Sequence, residues 1–190
     1  MPNTILITGA TSGFGEATAR RFAAAGWHVI ATGRRTERLE VLRAELQGMH
    51  GRMEGPAIVH ALHFDVRDRA AVDTAIASLP PEWRAIDVLV NNAGLAAGFD
   101  PIQNGDVDDW ERMIDTNVKG LLYVTRAVVP GMIARGRGHV INIGSTAGKE
   151  VYPKGNVYCA TKFAVDALTK GLRQDLLPHG IKVSQISPGL

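Results

Sequence analysis

The stretch Thr4–Gly15, TILITGATSGFG, decides the fold. Its first residues are β-branched or aliphatic and read as a short buried strand. The chain then passes three glycines, Gly9, Gly13 and Gly15, and enters a helical run over Gly13–Ala25. A phosphate needs backbone N–H groups aimed at it and no side chain in the way. Glycines clear the space, and a helix N-terminus adds aligned N–H groups and a positive dipole end. The spacing is G-x-x-x-G-x-G; it departs from G-x-G-x-x-G and lacks the Lys-Ser/Thr that closes a nucleoside triphosphate loop. Tight turns also use glycine, so the strand before and the helix after carry the reading. Gly9, Thr11, Ser12, Gly13, Phe14 and Gly15 are the expected phosphate turn.

Outward from this turn, short apolar runs alternate with longer amphipathic ones. Thr4–Thr8, His28–Thr32, Ala57–Leu62, Ile86–Asn91, Gly138–Ile143 and Ile181–Ile186 read as strands covered on both faces. Gly13–Ala25, Thr36–Gln47, Arg69–Ser78, Asp106–Arg135 (with a break allowed) and Asn156–Leu177 read as helices, Gly26 capping the first and Pro178 ending the last. This alternation predicts an α/β fold, a doubly wound parallel sheet of Rossmann type with six strands, as one domain over residues 1–190. Gly48–Pro56 reads as a surface insertion.

Composition narrows the function. The chain is 45% hydrophobic and 21% charged, as in globular proteins, and its net charge of +2 gives no basic field for nucleic acid or an anionic membrane. One cysteine excludes an internal disulfide framework. No apolar run reaches the roughly 20 residues of a membrane-spanning helix. The N-terminus lacks the basic stretch of a signal peptide, so the cytoplasm is the expected compartment.

The second strand ends at Thr32-Gly33-Arg34-Arg35-Thr36. A dinucleotide fold that takes NAD places an acidic residue here for the ribose 2′-hydroxyl. Arg34 and Arg35 instead suit a 2′-phosphate through bidentate hydrogen bonds, so the expected cofactor is NADP. Tyr158 and Lys162 stand four apart in a helical run and share a face. A phenol is a poor base near neutral pH, and a neighbouring ammonium favours its phenolate. Such a pair can move a proton to or from a carbonyl or alcohol oxygen. Ser145 follows the fifth strand, at the sheet end where open α/β folds bind ligands, and its hydroxyl can bond the reacting oxygen.

Together these residues resemble the short-chain dehydrogenase/reductases over the whole chain. Thr8–Gly15 (TGATSGFG), Asn91–Gly94 (NNAG), Asn117–Gly120 (NVKG), Ser145 and Tyr158–Lys162 (YCATK) stand in family order, with Ser145 13 residues before Tyr158. The resemblance implies roles: Tyr158 as general acid in reduction, Lys162 lowering its pKa and binding the nicotinamide ribose, Ser145 polarising the carbonyl, and Asn117 holding a relay water. It also implies Asp65 and Val66 at the adenine, Asn92 and Gly94 beside the cofactor, and Pro188 and Gly189 along the nicotinamide. IATGRRTERL, MIDTNVKGL and GNVYCATK look like the NADP-dependent 3-hydroxy acid dehydrogenases, which act on serine, L-allo-threonine and malonic semialdehyde.

The expected activity is hydride transfer between nicotinamide and a secondary alcohol or carbonyl carbon, on a small hydroxy or oxo substrate. A 3-oxoacyl thioester or a broad set of ketones is the alternative substrate, and a noncatalytic dinucleotide sensor the alternative class. The resemblance implies a homo-oligomer, tetramer or dimer, pairing through the long helices. It also implies a further loop, helix and strand after Pro188-Gly189, so the 190 residues are expected to be a truncated or incompletely recorded chain. No metal site is expected. His60 and His63 fall on opposite strand faces, and no H-E-x-x-H occurs. Cys159, Trp27, Trp83 and Trp110 read as packing residues, Asp106 with Asp109 as a helix start, and Arg135-Gly136-Arg137 as a solvated helix end.

Overall fold

The computed structural model describes residues 3–48 and 59–189. The expected insertion Gly48–Pro56 lies outside the described residues beyond Gly48, which ends a helix. The described strands are β1 (Thr4–Ile7), β2 (His28–Gly33), β3 (Val59–His63), β4 (Ile86–Asn91), β5 (Gly138–Ile143) and β6 (Ile181–Ile186). They form one parallel sheet in the order β3-β2-β1-β4-β5-β6. The order reverses between β1 and β4. There the first crossover and the fourth leave in opposite directions, and a crevice opens at the strands' carboxyl ends.

Alternate residues of each strand face alternate layers. Leu6, Ile30, Leu62, Leu89, Val140 and Val183 pack with helices α3 (Arg69–Ala77) and α5 (Leu121–Arg135) and the C-terminal part of α6 (Asn156–Leu176). Ile5, Ile7, Val29, Ala31, Val88 and Val90 pack with α1 (Gly13–Ala24) and α2 (Thr36–Gly48). The burial of β1, from Thr4 to Ile7, is complete on both faces, as its continuous apolar run requires. β6 stands at the sheet edge, with Ile186 52% exposed.

Local signals set the element ends. Gly26 (φ +79°) follows α1 in the left-handed region, and Asp68 caps α3 by accepting the Ala71 N–H. Asp106 caps α4 (Val107–Ile114), accepting the Asp108 N–H at 2.8 Å, as its position predicted. The expected break in Asp106–Arg135 is milder than a break: α4 runs through one widened π-helical segment, Asp115–Gly120, into α5. A β-carbon on Gly120 would lie 2.7 Å from Val66 Cγ2, so this segment presses on the loop after β3.

The Arg135–Arg137 turn is not simply solvated. Arg135 donates to the Ile86 carbonyl, and Arg137 pairs with Asp87 at 3.1 Å, because the helix end rests on the start of β4. The tryptophans pack as expected where partners are resolved. Trp83 lies between His28 and His60, at centroid distances of 5.0 and 5.2 Å, and Trp27 meets Phe22 edge-on. His63 faces the other way and contacts the Arg34 carbonyl.

Candidate active site

The phosphate turn is shaped from the opposite side of the crevice. Gly9 (φ +66°) and Gly13 (φ +55°) adopt backbone conformations that disfavour a β-carbon. Asn92, just past β4, donates its amide to the carbonyls of Thr8 (2.9 Å) and Gly9 (3.2 Å). In return the Thr8 hydroxyl accepts the N–H groups of Asn92 (3.0 Å) and Ala93 (2.9 Å). A β-carbon on Gly15 would lie 2.4 Å from both Asn92 Nδ2 and the Gly9 oxygen. Ser12, at the start of α1, makes no side-chain capping bond. Its hydroxyl instead accepts from Arg35 at 3.1 Å, and the Thr11 hydroxyl does so at 2.9 Å.

Arg35 is thus folded against the phosphate turn, and Arg34 stands beside it with its guanidinium 3.7 Å from Asp65. Arg67 grips Asp65 more closely, at 2.7 Å. Burial alone would raise the Asp65 carboxyl, yet Arg67 and then Arg34 hold it below its ordinary value.

The other wall is built by β5 and α6. Ser145 follows β5 in extended conformation and starts the turn Thr146–Gly148, its hydroxyl accepting the Ala147 N–H at 3.1 Å. Tyr158 and Lys162 lie on the first turns of α6. Lys162 is only 7% exposed and donates to the Ile143 carbonyl at 3.0 Å. Its Nζ is 5.8 Å from the centre of the Tyr158 ring. Burial pushes the Lys162 ammonium down to about 8. The Thr146 N–H holds the Pro188 carbonyl at 3.0 Å, which brings the segment after β6 to the same rim.

These walls enclose a cleft of about 580 Å³. Ser145, Tyr158, Lys162, Arg34, Arg35, Asp65, Val66, Asn92, Gly94, Pro188 and Gly189 all line it, with Gly9, Thr11, Ser12, Gly13 and Phe14. Two of the predicted residues sit behind the wall. Gly15 packs under the turn, where its missing side chain makes room for Asn92. Asn117 is buried, and both its amide hydrogens are used, on the Leu95 carbonyl (2.9 Å) and the Thr161 hydroxyl (3.0 Å). Its Oδ1 accepts the Leu95 N–H at 2.9 Å. Sequence reasoning missed Thr116, which lines the cleft with a buried hydroxyl that has no hydrogen-bond partner among the described residues. Its place directly before Asn117 was the available signal. It also missed Tyr152, which has no motif around it.

The cleft pairs a side-chain-free turn and a guanidinium pair at one end with a phenol, a buried amine and a serine hydroxyl at the other. The first set suits phosphates. The second can exchange a proton with an oxygen held between them.

Comparison with known proteins agrees with this geometry. The family model described as short chain dehydrogenase matches residues 3–190. The NADP-dependent 3-hydroxy acid dehydrogenase YdfG of Salmonella typhi is 56% identical over 186 residues, covering 98% of this chain and 71% of that protein. The serine 3-dehydrogenase of Agrobacterium fabrum is 49% identical over 191 residues, covering 100% and 72%. Among solved structures, the closed form of a serine dehydrogenase complexed with NADP+ superposes with a TM-score of 0.92 at 53% identity, covering 98% of this chain and 72% of that one.

Proposed function

The chain belongs to the short chain dehydrogenase family, and from that premise we propose that it is an NADP-dependent oxidoreductase acting on a small 3-hydroxy acid. Its substrates would be of the class of serine, L-allo-threonine or 3-hydroxypropionate, with the matching 3-oxo acids. The observation that carries this reading is one cleft lined by Ser145, Tyr158 and buried Lys162 together with Arg34, Arg35 and the glycine turn. The names of the relatives at 49 to 56% identity support the substrate class.

The residues fit NADP. The pyrophosphate would lie on the turn Gly9–Phe14 at the start of α1, and the 2′-phosphate between Arg34, Arg35, Thr11 and Ser12. Arg35 already reaches both hydroxyls, so that phosphate would meet a guanidinium held in place. With Asp65 committed to Arg67, its neighbour Val66 supplies an apolar wall for the base. When bound, NADP gives or takes the hydride; the protein manages the proton.

In reduction Tyr158 donates its phenolic proton to the carbonyl oxygen while the Ser145 hydroxyl hydrogen-bonds that oxygen. The Lys162 ammonium stabilises the phenolate left behind. Asn117 spends both amide hydrogens on Leu95 and Thr161, so a relay water between Lys162 and solvent would donate to its Oδ1 or to its main-chain carbonyl in the π-helical segment Asp115–Gly120.

The same reading makes residues 1–190 a single dinucleotide-binding domain and the protein a cytoplasmic homo-oligomer. Among the described residues no helix is long and apolar enough to cross a membrane. Leu122, Ile133 and Phe163 give the long helices apolar surface for self-association. The test is a panel of L-serine, L-allo-threonine, 3-hydroxypropionate and a 3-oxoacyl thioester, each with NADP(H) and NAD(H). The hydroxy acids with NADP should give the highest kcat/KM. A preference for the thioester would overturn the substrate class, and NADPH binding without turnover of any compound would favour the sensor.

A further inference from the structure

Among the described residues that line the main cleft, Asp65 is the one carboxylate. It stands at the end that carries Arg34 and Arg35, with Arg34 Nη1 3.7 Å from its Oδ2. A 2′-phosphate bound there would bring a further charge of about −1.5 to −2. An ionised Asp65 opposes that charge twice over. It repels the phosphate directly, and it draws on a guanidinium the phosphate needs.

Arg67 answers both effects from outside the cleft. The chain after β3 turns over Asp65-Val66-Arg67-Asp68, closed by the Asp68 N–H on the Asp65 carbonyl at 3.1 Å. The turn brings Arg67 onto the Asp65 carboxylate with two arms. Its Nη2 donates to Oδ2 at 2.7 Å, and its Nε reaches Oδ2 at 3.0 Å and Oδ1 at 3.2 Å. The Arg67 main-chain N–H adds a bond to Oδ1 at 3.0 Å. Arg67 does not line the cleft; with Asp65, Asp115 and Tyr123 it lines an open groove on the far side. Asp115, the other acid that acts on Arg67, is itself paired with Lys119 at 2.7 Å.

The two cleft arginines differ in how they are held. Arg35 is fixed by the hydroxyls of Thr11 and Ser12. Arg34 has its main-chain carbonyl in contact with the His63 ring at 3.0 Å, while its side chain is 56% exposed and touches only Asp65. Arg34 is therefore the guanidinium whose position depends on Asp65. With Arg67 on Asp65, those two charges cancel and Arg34 and Arg35 remain for the phosphate. Without Arg67, Asp65 would take Arg34 as its partner, and one positive charge would be left where two are needed.

We propose that Arg67 is a positioning residue for cofactor choice: it occupies Asp65 from outside the cleft and so leaves Arg34 to the 2′-phosphate of NADP. This rests on the NADP reading given above and adds a residue that never touches the cofactor. It also sets the sign of the effect. Removing Arg67 should penalise NADPH and spare NADH, because only NADPH brings a phosphate to this end.

The test is a fluorescence titration with NADPH and with NADH, which needs no substrate. It compares the wild type, Arg67→Met, Arg67→Lys, Asp65→Asn and the double variant Arg67→Met with Asp65→Asn. Arg67→Met keeps the stem and removes the charge. It should weaken NADPH about tenfold and NADH less than about twofold. Arg67→Lys keeps a charge without the two-armed grip and should fall between; it reads the same ratio where Arg67→Met does not fold. In the Asp65→Asn background there is no carboxylate to occupy, so adding Arg67→Met should leave the NADPH-to-NADH ratio unaltered. Equal losses with both cofactors in Arg67→Met, or a full loss of preference that persists in the double variant relative to Asp65→Asn, would assign Arg67 to holding the turn and overturn the proposal. A wild type that binds NADH as tightly as NADPH overturns the NADP reading itself, and that failure shows before any variant is made.

Discussion

The two halves of the sheet build their shares of the cleft by opposite means. Around β1 and β2 the work is done by backbone and by what is missing: glycines at positive φ, an α1 start without a side-chain cap, and no room for a β-carbon at Gly15. Around β5 and α6 it is done by side chains, with a phenol, a buried amine and a hydroxyl brought together from residues 4 to 17 apart. One half should therefore fail when atoms are added, and the other when they are removed.

The largest effect tests the side-chain half. Tyr158→Phe deletes one oxygen and should lower kcat about 10³-fold, within the range for a lost general acid. NADPH affinity should be retained, and fluorescence titration checks this. Turnover surviving the change would break the contrast at its strongest point.

The second effect is a pH signature. In the cofactor-free protein Lys162 titrates at about 8 in the folded state and at 10.5 when unfolded. Below pH 8 burial of its charge costs stability in full. As pH rises from 8 to 10.5 the folded state releases this proton while the unfolded state keeps it, so stability is gained. Relative to Lys162→Met, the wild type should gain up to about 3 kcal/mol across that window. Urea midpoints at pH 7.5 and 10.5 measure it, and parallel pH curves for the two proteins would contradict the burial.

The backbone half is tested by Gly15→Ala, which adds one carbon. Overpacking against the Gly9 oxygen should cost about 2 kcal/mol of stability and weaken NADPH binding at the same time. A variant that binds NADPH normally would show that the turn can shift without consequence. The smallest effect belongs to the one side-chain device of this half. Arg35→Ala should reduce the preference for NADPH over NADH about tenfold and leave NADH kinetics nearly unaltered. Equal losses with both would assign Arg35 to holding the turn through Thr11 and Ser12.

Legibility in the sequence followed range along the chain. TGATSGFG and YCATK were readable because their chemistry is local: a turn at a helix start, and two side chains four apart. The six strands were readable for the same reason, to within a residue or two where described. The contacts that Gly15, Asn92 and Asn117 make were not, because each depends on partners far away in sequence. Asn117 is the clearest case. Its motif is local, yet its side chain is spent on Leu95 and Thr161, 22 and 44 residues away. The π-helical segment escaped because helical periodicity does not distinguish one widened turn from a regular helix. Arg135 was misread because a helix-end arginine is usually solvated, and only the neighbouring strand reveals the Ile86 carbonyl.

The bonds between Thr8 and Asn92 also set a timetable for the site. They join residues 84 apart. A chain emerging from the ribosome presents β1, the glycines and α1 early, with every residue of the phosphate motif in hand. The carbonyls of Thr8 and Gly9 have no amide to hold them until β4 has been made and docked at the centre of the sheet. The motif's folded geometry is therefore a product of the assembled sheet, because the amide that holds its carbonyls arrives only with β4.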